Sequence, residues 1–326
     1  MTFRLADPEG RYAAVRLCSD LRLSERERTF SRQGDEWVLR LTPPPVARLE
    51  YELELVHADG ETELVCEPGN PHRAPGAFGE KSVVLLPGYE PPAWVDAKGV
   101  EGEVTELAPR GRGLRANVAV RLWKPKGSDP SGLLVAHDGP ELDELAGLTR
   151  YSAAMIAAGE LPPHRVALVA PGHRDEWYSG SALYTRALIT DVLPALGPLA
   201  RVGMGVSLGA LAMLHAHARA RFDALFLQSG SFFVPAHDAH ESRFPRYRRV
   251  VRVTRELQRD AGRAVPVTLT CGAAEENLAN NRIMARALAE QGFDAELHEV
   301  PDTHNYTGWR DALHPHLTGL LRRVWT

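Results

Sequence analysis

Three residue types occur in the chain in the order that acyl-transfer chemistry needs. Ser207 lies in Gly205-Val206-Ser207-Leu208-Gly209, after an apolar run at 202–206 and before an Ala-rich stretch at 210–220. Gly-x-Ser-x-Gly between a strand and a helix is the pattern of a nucleophile elbow, a sharp turn that presents a serine hydroxyl at its tip. Backbone at such a serine is strained, so a side chain at position 205 or 209 is expected to collide with the neighbouring strand or helix. A serine hydroxyl attacks poorly until an imidazole accepts its proton. The imidazole in turn needs a carboxylate to fix its tautomer and stabilise its positive form. His304, in Pro301-Asp302-Thr303-His304-Asn305, is the expected base. Glu275, three residues after Gly272, is the expected acid; Glu276 is its rival and Asp302 a third candidate.

The oxyanion of a tetrahedral intermediate needs two donors. The backbone N–H of Leu208, at the start of the elbow helix, is one. The second is expected from His137-Asp138-Gly139-Pro140-Glu141, where Pro140 has no N–H and Gly139 is the best choice. One such donor contributes about 3 kcal/mol to the transition state.

These residues need a scaffold that brings strand ends together. From about residue 101, apolar runs at 133–136, 166–170, 202–206, 224–227, 265–270 and 295–300 read as strands buried on both faces, with a further strand at 117–123. Helical patterns at about 142–158, 181–196, 208–220, 278–291 and 308–324 separate them. This alternation predicts an α/β fold with a mostly parallel sheet covered by helices, whose function gathers at the carboxyl ends of the strands. Serine, acid, histidine is the chain order of an α/β-hydrolase triad. Residues 1–98 differ in texture. Near-alternating runs at 12–17, 36–41 and 49–55, separated by Pro, Gly and Asp, predict a small β-sandwich. A Pro/Gly-rich connection at 67–79 and 87–94 leads to the catalytic domain at 99–326.

The bulk properties exclude several function classes. With a net charge of −4 and no long basic run, nothing marks a nucleic-acid binder. Residues 1–97 carry 11 Lys/Arg against 17 Asp/Glu, which leaves the remainder mildly basic and suited to an anionic ligand. No stretch is long enough to span a bilayer, and the N-terminus lacks the apolar core of a signal peptide. Three scattered cysteines, Cys18, Cys66 and Cys271, fit packed thiols in a cytoplasmic protein. His215 and His217 on the elbow helix read as packing or surface residues. His237-Asp238-Ala239-His240 is the most metal-like cluster but has no third ligand nearby, so neither a metal nor an organic cofactor is expected.

Several passages together resemble the enterochelin (ferric enterobactin) esterase family, within the esterase D group of α/β-hydrolases. They are the elbow through Ala210, Gln228-Ser229-Gly230-Ser231-Phe232-Phe233, His173-Arg174-Asp175-Glu176 ahead of Val192-Leu193-Pro194, and Asp302-Thr303-His304-Asn305 leading to Trp309-Arg310. The β-rich region running into Asn70-Pro71 is similar to that family's early-set, immunoglobulin-like domain. The resemblance implies hydrolysis of the trilactone backbone of a ferric catecholate siderophore in the cytoplasm, carried by Ser207 and His304 with an acid near Glu275. For such an anionic, aromatic substrate, Arg174 beside Trp177 and Tyr178 on a loop, and Arg246 among Arg243, Arg248 and Arg249, are candidate contacts. Residues 232–250 read either as a partial lid or as a solvated basic helix face. The alternatives are an esterase for acetyl, feruloyl or other lactone substrates, and a non-catalytic siderophore- or carbohydrate-binding protein. Three intact residues of triad type argue against the last.

Overall fold

The apolar runs of the second half form one eight-stranded sheet. Its strands are β1 (Gly102–Leu107), β2 (Val120–Pro125), β3 (Gly132–His137), β4 (His164–Val169), β5 (Ala200–Val206), β6 (Ala224–Gln228), β7 (Pro266–Gly272) and β8 (Asp294–Val300). They lie in the order β8-β7-β6-β5-β3-β4-β2-β1. From β4 through β3, β5 and β6 to β7 every pairing is parallel. Parallel strands need helical crossovers on both faces, and the interior strands are accordingly apolar throughout: every residue of β3 and of β6 is buried. β2 turns antiparallel to β4 and to β1, which closes the sheet with a half-exposed edge. Edge strand β1 carries exposed Val104 between Glu103 and Thr105, so its hydrophobic signal was too weak to read from sequence.

The chain leaves β3 for β4 on one side and later places β5 on the other side of β3. That reversal is a topological switch point, where an open α/β sheet leaves a crevice at the carboxyl ends of its strands. Nine helices connect the strands or close the chain: α1 (Gly139–Ala146), α2 (Leu148–Ala157), α3 (Arg174–Tyr178), α4 (Ala182–Ala187, extended by further helical turns to Ala195), α5 (Leu208–His217), α6 (Tyr247–Leu257), α7 (Leu278–Glu290), α8 (Tyr306–Asp311) and α9 (Thr318–Trp325). Two expected helices are broken in two. Gly147, at φ 66°, ends α1 and sends its N–H back to Asp143 O, so 142–158 is not one helix. His314, at φ −118° and ψ 127°, interrupts 308–324 because Pro315 disfavours helical backbone in the residue before it.

The computed structural model describes residues 1–326, and the chain divides into two compact units. One is Pro91–Cys271 with Asn277–Glu299 and Trp309–Thr326. The other is Met1–Glu90 together with Gly272–Glu276 and Val300–Gly308. The β-rich unit holds a three-stranded sheet (Thr2–Ala6, Glu36–Arg40, Ser31–Gln33) and a five-stranded one (Tyr12–Cys18, Arg48–His57, Lys81–Leu85, Arg73–Ala74, with Thr62–Val65 paired to Arg48–His57). Phe3, Leu5, Trp37 and Leu39 of the first share one core with Val15, Leu17, Leu49, Tyr51, Leu53 and Leu55 of the second. The Pro/Gly-rich stretch is tied into this unit rather than loose. Arg73–Ala74 pairs with Lys81–Leu85, and Asn70 Nδ2 donates to Tyr51 Oη and to Val83 O.

Candidate active site

Ser207 lies at the switch point, directly after β5 and before α5. Its φ of 54° and ψ of −124° fall where L-residues are strained, a cost of about 1–3 kcal/mol. The neighbouring glycines make the turn possible. A Cβ on Gly205 would stand 2.3 Å from Gly209 O, and one on Gly209 would meet Asp138 Oδ2 at 3.0 Å and His137 Cβ at 3.2 Å. Backbone bonds hold the strain in place: Ser207 N–H donates to Gln228 O (2.9 Å), and Ser231 N–H donates to Ser207 O (3.1 Å). Ser207 Oγ is 3.1 Å from Ser231 Oγ. Every residue of α5 is buried, so the helix is anchored along its length. The N–H of Leu208 lies in its first turn, where helical N–H groups have no acceptor within the helix and the dipole favours negative charge.

The end of β3 supplies a second strained corner. Asp138 has φ 51° and starts α1. Gly139 follows, and a Cβ there would lie 2.3 Å from Leu168 Cα, so glycine is required for α1 to seat on β4. The reason for glycine at this position is packing against a strand. The Asp138 carboxylate is gripped by Arg174, whose Nε and Nη2 each donate at 2.8 Å. Asp138 N–H donates to Tyr178 Oη at 3.2 Å. His137 is fully buried, and its Nδ1 lies 3.0 Å from Gly209 O. A carbonyl can only accept, so Nδ1 carries the proton. Burial lowers the imidazole pKa to about 4, outweighing the Gly209 hydrogen bond, and the ring is neutral at pH 7. No motif marks His137 in the sequence; its place at the end of a buried strand is the local signal of it.

The candidate substrate contacts separate into two groups. Arg174 is on helix α3 rather than on a loop, and its side chain is 36% exposed. Arg246, 48% exposed, joins it at a depression of about 460 Å³ lined by His173, Arg174, Asp175, Glu176, Pro245 and Arg246. Glu176 there accepts from Arg246 (2.8 Å) and from Arg249 (2.7 Å), which spends part of the positive charge internally. Trp177 and Tyr178, expected beside the ligand, are buried instead. Helical spacing turns both inward, where Trp177 stacks on Tyr184 with centroids 5.2 Å apart and Tyr178 packs on His137 at 4.6 Å. Phe232 and Phe233 are likewise in the core, and the buried stripe Val250, Val251, Val253 and Leu257 docks α6 on the same core. The Asp238 carboxylate is occupied by Val234 N–H (2.6 Å) and Asn280 Nδ2 (3.1 Å), and His215 and His217 are buried on α5.

Within the β-rich unit, Glu275 and His304 form a bonded pair. His304 Nδ1 lies 3.0 Å from Glu275 Oε2, with the Glu275 side chain 1% and the His304 side chain 28% exposed. The other carboxylate oxygen, Oε1, accepts Gly272 N–H at 2.8 Å. Gly272 must be glycine, because a Cβ would lie 2.3 Å from Asp302 O. Desolvation opposes protonation of His304, but the charge and hydrogen bond of Glu275 outweigh it and hold the imidazole above its ordinary pKa. The carboxylate thereby fixes the proton on Nδ1 and leaves Nε2 as acceptor. The other two candidate acids have different partners: Glu276 pairs with Arg22 at 3.5 Å, and buried Asp302 with Arg48 at 3.2 Å. Along the chain, Ser207 follows β5, Glu275 follows β7 and His304 follows β8, and these three strands belong to one sheet.

No protein-family model matches the chain, and no curated protein sequence does. Solved structures match it throughout. The ferric enterobactin esterase of Salmonella typhimurium superposes with a TM-score of 0.78 at 19% identity, covering 99% of this chain and 93% of its own. The enterobactin esterase of Shigella flexneri, crystallised in the presence of enterobactin, gives 0.77 at 19% identity, covering 99% and 92%. A ferulic acid esterase gives 0.58 at 17% identity, covering 70% of this chain and all of its own. The chain resembles the enterobactin esterases in fold.

Proposed function

We propose that the chain is a serine hydrolase of carboxylic esters, with Ser207 as nucleophile, His304 as base and Glu275 as the acid that orients it. The observation that carries this reading is the strained backbone of Ser207 at a switch point, flanked by Gly205, which steric contact requires, and by tightly packed Gly209. Strain of that kind at a serine has no packing purpose and suits a hydroxyl presented for attack. Ser207 Oγ attacks the ester carbonyl carbon as His304 Nε2 takes its proton. The oxyanion that forms is met by the N–H groups of Leu208 and Gly139, both at helix starts. Collapse breaks the bond to the leaving alcohol, which takes the proton back from His304. Water then repeats the cycle in reverse roles and releases the acid from Ser207.

The finer reading is a ferric catecholate siderophore as substrate. Likeness over the whole chain to enterobactin esterases supports it, as does the depression holding Arg174 and Arg246. We read residues 1–98 as an immunoglobulin-like β-sandwich preceding the catalytic domain at 99–326, and three cysteines scattered along the chain fit the cytoplasm. The reading is tested by incubating the protein and Ser207→Ala with ferric and iron-free siderophores, feruloyl and acetyl esters and a simple aryl ester, with products read by mass. Turnover of the aryl ester by Ser207→Ala at the wild-type rate would remove the mechanism. Cleavage of neutral esters alone would remove the siderophore.

A further inference from the structure

We infer that Arg48, on the strand Arg48–His57, is a positioning residue for His304, an inference whose kinetic arm rests on the esterase reading. The segment 301–305 that carries His304 has no helix or strand of its own, so something else must hold it. The Arg48 side chain is 2% exposed and sits among three oxygen acceptors. Nη2 donates to Glu50 Oε1 at 2.5 Å; Nη1 donates to Asp302 Oδ2 at 3.2 Å and to Asn305 Oδ1 at 3.0 Å. Asp302 and Asn305 flank the histidine and are locked to each other: Asp302 Oδ1 accepts Asn305 Nδ2 (2.7 Å) and Thr303 N–H (2.8 Å). Ala47 N–H, beside Arg48, donates to Pro301 O at 2.7 Å. One guanidinium therefore fixes the chain on both sides of His304.

The composition of this cluster argues for that purpose. A buried arginine between two carboxylates is a poor route to stability, since apolar side chains of similar volume commonly do as well or better. What the cluster supplies is a defined direction. A planar fork satisfies several acceptors only in one geometry, which a lysine cannot reproduce. The charge state depends on it as well: burial raises the Asp302 pKa to about 6, against the opposing pull of Arg48. The histidine itself feels Glu275 first, then Asp20 and Glu276, so its titration reports how well it is held against Glu275.

The test is Arg48→Lys in the full chain, read in two ways. A catalytic base displaced by about 1 Å loses on the order of 100-fold in rate. We expect kcat to fall about 10- to 100-fold on a simple aryl ester, with KM within about twofold of wild type. In parallel, the His304 imidazole titration, followed by NMR and assigned with His304→Gln, should move down toward the ordinary histidine value as the Glu275 bond loosens. A folded Arg48→Lys with unchanged titration overturns the inference, even if kcat falls, because Arg48 would then serve general stability alone. If Arg48→Lys does not fold, Arg48→Gln combined with Glu50→Gln leaves no unpaired charge except Asp302, which is free to take a proton; the same readouts apply. The NMR arm needs no ester turnover, so it decides this inference even where the wild-type protein proves not to be an esterase.

Discussion

The corner around Ser207 and the corner around His304 are built by different physics. At Ser207 the geometry is covalent and steric: a strained serine, a glycine at 205 whose Cβ would strike backbone, and a wholly buried helix. Charge enters there through the Asp138–Arg174 pair. At His304 no regular element carries the residue, and its loop is held by ionic and hydrogen-bonded side chains, Glu275 on the ring and Arg48 behind it. The first kind of site tolerates no change of shape, and pH reaches it through a buried neutral imidazole, His137, rather than through its hydroxyl. The second tolerates changes of shape better and depends on protonation.

The difference is broken most severely at Gly205. Gly205→Ala puts a methyl 2.3 Å from a helical carbonyl that cannot shift, and the variant should lose more than about 3 kcal/mol or fail to fold. Thermal denaturation measures this; an unchanged midpoint would show that the elbow is not sterically set. The ionic corner should respond in activity while staying folded. Glu275→Gln is expected to lower kcat roughly 10²- to 10⁴-fold, whereas Glu276→Gln, whose carboxylate pairs with Arg22 and not with the His304 ring, should stay within about threefold. The reverse ranking in steady-state assays would reassign the acid.

pH sharpens the contrast. His304 works as a base only when neutral, and Glu275 raises its pKa, so kcat/KM should rise with pH through a value above that of an ordinary histidine. In Glu275→Gln that limb should move to lower pH; a limb that stays in place would detach the ring from Glu275. At the other corner the histidine's pKa is shifted the opposite way, and the shift acts on stability. His137 is depressed from 6.5 to about 4, so between those values the unfolded chain takes up the proton first. Its contribution is complete above pH 6.5 and declines as pH falls toward 4, which denaturant titration of His137→Gln beside wild type would isolate. A smaller effect than at Glu275 is expected at Arg174. Arg174→Gln leaves Asp138 less firmly held and should lower kcat about tenfold, with the larger change in kcat rather than KM. A rise in KM confined to anionic esters would instead make Arg174 a substrate contact.

Much of the fold was legible because parallel strands buried on both faces appear as apolar runs, as β3 to β7 do; β8, at the sheet edge, carries Asp294, Glu296, His298 and Glu299 and has no buried residue, so it is a strand but not one buried on both faces. Edge strand β1 was not, since its exposed alternation with glutamates resembles a loop. Helix breaks were visible in composition but not in effect: Gly147 and Pro315 stood in plain sight, yet whether either ends a helix depends on what the next turn packs against. Trp177 and Tyr178 illustrate the same limit. Beside Arg174 they look like ligand contacts, and only the direction of a short helix turns them into the core.

What the sequence determined by itself is local: which strand ends in a glycine-flanked serine, and in what order an acid and a histidine follow. Those are properties of neighbours along the chain, where steric rules and hydrophobic period act directly. The tertiary structure decided which of three acids meets His304, since Glu275, Glu276 and Asp302 differ only in what stands opposite them. It also brought Arg48 to residues 254 and 257 positions away. Electrostatic and hydrogen-bonding partners are chosen by distance in space, and no local pattern encodes that distance.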